Sequence, residues 1–208
     1  MAVVTSQAAL ELRYGIASRA MSGEVVSGDV AVVARRDNGH LFAAIDGVGH
    51  GEQALVAART AADVLHCHAS EPVAALIERC HVALRGTRGV AMAVAAIHAA
   101  SRRLTWVGVG NVQGLLRRRA LSADRDHEVL LQRAGLVGAH LPRLYASTIA
   151  LRDGDVLALA TDGLRAGFAN SLVGSGAPQD VANRALESFG TSTDDALVIV
   201  ARLGEGPL

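Results

Sequence analysis

Apolar residues in this chain come in short runs rich in β-branched side chains, at 30–34, 41–45, 90–98, 103–109, 112–117, 127–132, 145–151, 155–160 and 196–202. Runs of this length read as strands, so the middle of the chain is expected to be mostly sheet. The first two runs flank Asp37-Asn38-Gly39, whose turn chemistry predicts a β-hairpin.

The period changes at three places. After the glycine-rich DGVGHG at 46–51, Leu55, Ala58, Ala62 and Leu65 share one face of a helix. Ser70 is placed to cap a second helix with Val73, Leu76, Ile77, Cys80 and Leu84 as its apolar stripe, ending at Gly86. A third runs from Pro178 to Gly190 over Val181, Ala182, Ala185 and Phe189. Strands, two helices, a run of strands, then helix and strand predict a layered α+β domain over a doubly wound α/β sheet. At 208 residues and 50% hydrophobic content, the chain suits one domain spanning 1–208, with 203–208 as a frayed tail.

Composition narrows the chemistry. All 20 basic residues are arginine, which excludes phosphate-loop NTPase and Schiff-base mechanisms, since both require lysine. Zero formal net charge and 3% aromatic residues argue against nucleic-acid binding, and the apolar runs fall short of the ~20 residues that span a bilayer. The first fifteen residues lack the pattern of a signal peptide, so a cytoplasmic protein is expected. Cys67 and Cys80 both sit in helical patterns and read as reduced structural thiols.

Four acidic positions stand beside glycine or a second acid at strand edges: Asp29 in SGD, Asp46 in AAIDGVGHG, Asp162 in LALATDGL and Asp194 in STDDALVIV. Any one alone is as easily a turn residue, and Asp153-Gly154-Asp155, between two strand patterns, reads as a hairpin turn. Together they form an oxygen-rich donor set. Carboxylates and carbonyls without nearby His or Cys suit Mg²⁺ or Mn²⁺ better than zinc, and two such ions can activate water and offset charge on a phosphoryl group.

In order, SGD, IDGVGHG opening a helix, GVGNV, TDGL after a hydrophobic strand and DDALVIV near the end resemble the metal-dependent protein phosphatase superfamily of phosphatase 2C type. Within it the SpoIIE/RsbU/RsbX branch is most similar, over about residues 10–202. The resemblance implies a four-layer α-β-β-α sandwich, two antiparallel sheets flanked by helices, with two Mn²⁺ or Mg²⁺ ions at one edge. It implies that Asp46 bridges the ions, that the Gly47 carbonyl binds one, that Asp162 and Asp194 hold the other, and that Asp29 binds directly or through water. Activated water would then hydrolyse phosphoserine or phosphothreonine with no phospho-enzyme intermediate. The implied substrates are phosphorylated STAS-domain proteins of the stressosome, of RsbS and RsbR type, with the enzyme resetting a stress signal. A non-catalytic pseudophosphatase that only binds phosphorylated partners, and a hydrolase of small phosphate esters, remain as alternatives.

Several residues stand at the margin of this pattern. His50 could orient water or act as a general acid, the plainer reading being that it supports the ligand residues around it. Asp195 reads as a supporting acid beside the ligand Asp194, and Leu197 stands where the family often has threonine or serine. No arginine lies between Arg19 and Arg35, so Arg19 is the available phosphate-binding candidate near the first motif, the alternative being that the metals bind phosphate alone. His66, Cys67 and His68 cannot converge on zinc from one helix, because i and i+2 side chains point about 200° apart. Arg117-Arg118-Arg119 reads as a solvated strand edge.

Overall fold

In a computed structural model, residues 11–119, 127–172 and 176–204 are described; part of the expected tail, 205–208, lies outside them. In chain order the elements are β1 (Leu12–Arg19), β2 (Asp29–Arg36), β3 (Gly39–Gly47), α1 (Gly51–Cys67), α2 (Val73–Ala83), β4 (Val90–His98), β5 (Arg103–Val109) and β6 (Gln113–Arg117). β7 (His127–Val129), β8 (Gln132–Arg133), β9 (Ser147–Ala150), β10 (Val156–Ala160), a 3-10 turn at Phe168–Leu172, α3 (Pro178–Phe189) and β11 (Ala196–Leu203) follow.

These strands form two sheets, ordered β1-β11-β10-β6-β7 and β2-β3-β4-β5-β8, with β9 also paired to β5. Alternation decides the layering. In β3, Leu41, Ala43 and Ile45 face α1 and α2, while Phe42 and Ala44 face the other sheet. The inner layer joins Phe42, Ile97, Trp106, Leu157 and Ile199 between the sheets, and α3 covers the outer face of the first sheet through Val181, Ala182 and Ala185. The result is the α-β-β-α sandwich. Among the described residues, every strand pair but one is antiparallel; β8 runs parallel to β5, with Gly108 opposite Gln132.

Local departures from the sequence expectation have physical causes. β1 carries no clean alternation, and pairing with β11 over its whole length makes it a strand. The expected run at 127–132 divides into β7 and β8, because β7 pairs with β6 in one sheet, its ladder ending where the Leu130 N–H is donated to the Gly114 carbonyl, while β8 pairs with β5 in the other. Ser70 is not the cap of α2. That helix begins after Pro72, and the Ser70 carbonyl accepts from Arg36. Nor is Arg117–Arg119 a bare edge, since β6 pairs with β7 and Arg118 reaches across to the buried Asp155 at 2.8 Å. Asp155 belongs to that ion pair as well as to the turn at Gly154. Cys80 is buried, its thiol pushed up to about 12 by desolvation, whereas Cys67 is exposed; both are free. Among the described residues, no helix is long and apolar enough to cross a membrane.

The buried face of α1 is built from Ala54, Ala57, Ala58, Ala61 and Ala62, with Leu55 only partly covered. An alanine face lets the helix start almost on the strands. A Cβ on Gly47 would sit 2.2 Å from the Ala54 carbonyl oxygen, so the end of β3 and the first turn of α1 touch backbone to backbone. That contact sets where Asp46 ends up.

Candidate active site

β2 and β3 pair so that Asp29 stands directly opposite Asp46. β10 delivers Thr161 and Asp162 from the other sheet, and the chain entering β11 delivers Asp194 and Asp195. Four separate segments thus end at one edge of the sandwich. An open cleft of about 890 Å³ lies there, with Asp46, His50, Asn111, Asp162 and Asp194 in its wall.

The carboxylates perturb one another, as only neighbours can. Burial, then the charges of Asp162, Asp194 and Asp195, pushes Asp46 up to about 7. Asp29 is pushed up to about 8, chiefly by burial, against the opposing effect of the Thr161 hydroxyl, which donates to its Oδ2 at 2.7 Å. Asp162 is also raised, by burial and Asp194, although Asn111 donates to its Oδ2 at 2.6 Å. Among the described residues, no arginine or histidine forms an ion pair with any of these four ligand candidates. Clustered carboxylates lacking a protein cation fit hard divalent ions.

As the side chains stand, no group of three or more His, Cys, Asp and Glu among the described residues is arranged as a ready metal cage. The hydrogen bonds give the reason. Asp162 is turned toward Asn111, and Asp194 accepts from the Asp195 backbone N–H at 2.9 Å. Like charges spread apart and take local partners until a cation draws them in. Octahedral Mg²⁺ keeps several waters and needs only one or two carboxylates, so the donor set suits it.

Not every expected residue reaches the cleft. Asp29 lies deeper, nearly buried and bonded to Thr161, which in turn accepts from the Leu197 N–H; it joins the two sheets behind Asp46. The Leu197 side chain is buried between the sheets. Asp195 points inward as well. It accepts from the Met21 N–H at 2.8 Å and the Gly28 N–H at 2.7 Å, pinning the segment that leads to Asp29. His50 sits at the rim with its Nδ1 against Glu24 Oε1. Gly47 donates its N–H to the Gly28 carbonyl and is buried. Arg19 lies elsewhere, its Nη2 donating to the Thr191 carbonyl. Asn111 and Glu24 join the site only in the folded structure. Asn111 had a signal in GVGNV, and Glu24 had none.

The raised carboxylates predict a pH dependence. A folded-state pKa above the unfolded value near ~4 adds stability that is complete below pH ~4 and is lost as pH rises through the folded value. With Asp46 near 7 and Asp29 near 8, the metal-free protein is expected to weaken between about pH 4 and 8. In chelator, the melting temperature should fall by roughly 5–10 °C from pH 5.5 to pH 8 and recover on adding Mg²⁺. An equal slope in Asp46→Asn would show that the Asp46 carboxyl does not contribute to this pH dependence.

Known proteins share the family and the fold. A model of the stage II sporulation protein E (SpoIIE) family matches residues 36–204, leaving Asp29 just outside the match. Phosphoserine phosphatase RsbX of Bacillus subtilis (strain 168) is 26% identical over 178 residues, 86% of this chain and 87% of that protein. A structure from work on "the bacterial stressosome: a modular system that has been adapted to control secondary messenger signaling" is 27% identical, covering 92% of this chain and all of that one, with a TM-score of 0.85. RsbX in complex with magnesium has the same fold, at a TM-score of 0.82 and 24% identity over 93% of this chain and 96% of that one. With its sandwich, its acidic edge and the family match over most of its length, the chain belongs to the SpoIIE family of phosphatase-2C-type protein phosphatases.

Proposed function

We propose that this protein removes phosphate from phosphoserine or phosphothreonine on phosphorylated STAS-domain proteins of the stressosome, of RsbS and RsbR type, and so resets a stress signal in the cytoplasm. The convergence of Asp46, Asp162 and Asp194 on one open cleft carries the reading. Two Mn²⁺ or Mg²⁺ ions bound there would supply an activated water and neutralise charge on the phosphoryl group. Asp46, Asp162, Asp194 and the Gly47 carbonyl would hold them, with Asp29 supporting from behind through water. Asn111 orients Asp162, and Asp195 keeps the Met21–Gly28 segment in place.

Partner and chemistry are supported separately. The magnesium-bound relative supports the ion class, and the relative from the stressosome work supports the partner class. The openness of the cleft suits a phosphoserine on a folded surface better than a small ester, which needs enclosure. The single domain of 1–208 is then one catalytic unit.

The test measures phosphate release from a phosphorylated STAS protein and from p-nitrophenyl phosphate with Mn²⁺, with Mg²⁺ and in excess chelator. Metal-dependent release from both is expected, with higher kcat/KM on the protein. Equal rates in chelator would overturn the metal reading. Tight binding of the phosphoprotein with no release under any metal would make the chain a pseudophosphatase.

A further inference from the structure

We propose that Arg88 binds and orients the substrate's phosphoryl group at the rim of the acidic cleft. The inference rests on the phosphatase reading above and assigns that site its missing fixed positive charge. Arg88 belongs to the short connection between α2 and β4, far in sequence from every acidic motif.

Its backbone is held against the metal-site loop. The Gly89 carbonyl accepts from the Val48 N–H at 3.2 Å, and Val90 exchanges both backbone hydrogen bonds with Val137 at 2.9 Å. Thr87 Oγ1 donates to the Leu84 carbonyl and accepts from the Gly89 N–H. Arg88 therefore has little backbone freedom.

Its guanidinium lies on Gly49, within the DGVGHG loop. Nη1 is 2.8 Å from where a Cβ on Gly49 would stand, and Gly49 also has a φ of +89°, so glycine at this position admits the arginine. Gly49 shares the cleft wall with Asp46, Asp162 and Asp194. Arg88 is exposed, and among the described residues its guanidinium makes no ion pair or hydrogen bond. Other arginines are engaged: Arg19 with the Thr191 carbonyl, Arg165 with the Ser188 carbonyl, and Arg133 and Arg143 over the Tyr145 ring.

A phosphoryl dianion approaching clustered carboxylates is repelled unless cations intervene, and bound metal ions are lost whenever they dissociate. A guanidinium is always charged, and its planar fork matches two phosphate oxygens. Arg88 supplies both properties from a held stretch of backbone beside the DGVGHG loop.

Arg88→Ala, Arg88→Lys and the control Arg85→Ala, which removes the same charge nearby, are compared in Mg²⁺ by two readouts. With p-nitrophenyl phosphate, Arg88→Ala should raise KM about tenfold and raise the inhibition constant of inorganic phosphate in parallel. Half-activation by Mg²⁺ should not move. Arg88→Lys should recover part of the loss, and Arg85→Ala should show none of it. Calorimetric binding of inorganic phosphate gives the second readout independently of turnover. An inactive wild type whose phosphate binding still depends on Arg88 would overturn the phosphatase reading and keep this one. Equal phosphate binding by wild type and Arg88→Ala, or none by either, overturns the role of Arg88.

Discussion

Asp46→Asn is expected to lower metal-dependent phosphate release about a thousandfold, while the protein melts no lower than wild type in chelator. Both halves follow from the same crowding. Asp46 is raised to about 7 by burial and by three neighbouring carboxylates, so a neutral amide of the same shape relieves repulsion in the metal-free state. The same amide removes the anionic oxygen proposed to bridge the ions, and a loss of ~4 kcal/mol of transition-state stabilisation is a factor of about 10³. Phosphate release and thermal melting, measured on one preparation, check the pair. Full activity in the variant would remove Asp46 from the ligand set, and a collapse in melting temperature would make it a structural acid.

The second large effect separates two adjacent acids. Asp195→Ala should cost about 2–4 kcal/mol in stability, because it leaves the Met21 and Gly28 N–H groups without their buried acceptor. Asp194→Ala should cost less than about 1 kcal/mol, since among the described residues its carboxylate accepts only from the following N–H, and it faces the cleft. Its loss should fall on activity instead. Denaturant unfolding in chelator and phosphate release with Mg²⁺ resolve the two. The reverse ordering would move the ligand role from Asp194 to Asp195.

That pair also shows how far sequence reasoning reaches. In DDALVIV the two acids are chemically identical, and local alternation says only that they face opposite ways. Which way is inward depends on pairing with β1 and on the Met21–Gly28 segment lying over the end of β11. Asp29 is a similar case. SGD placed it among the acids, yet the register that sets it opposite Asp46 also sets it behind, where Thr161 from the other sheet takes its oxygen. His50 stood within a visible motif, and its partner Glu24 stood in none.

Hydrophobic period and turn chemistry are local properties, and they were enough to read the α+β class, most element positions and the list of acids that could meet. Those signals need only neighbouring residues, because side-chain period and turn conformation act over a few positions. Tertiary structure decided which acids share the cleft and which hold the scaffold. It also brought Arg88 against Gly49, 39 positions apart in the numbering, through the hydrogen bond from Val48 to Gly89. Contacts of that kind depend on which strands pair and in what register, here β3 with β4, and register is fixed by which faces the assembled core buries, so no single stretch of chain carries their signal.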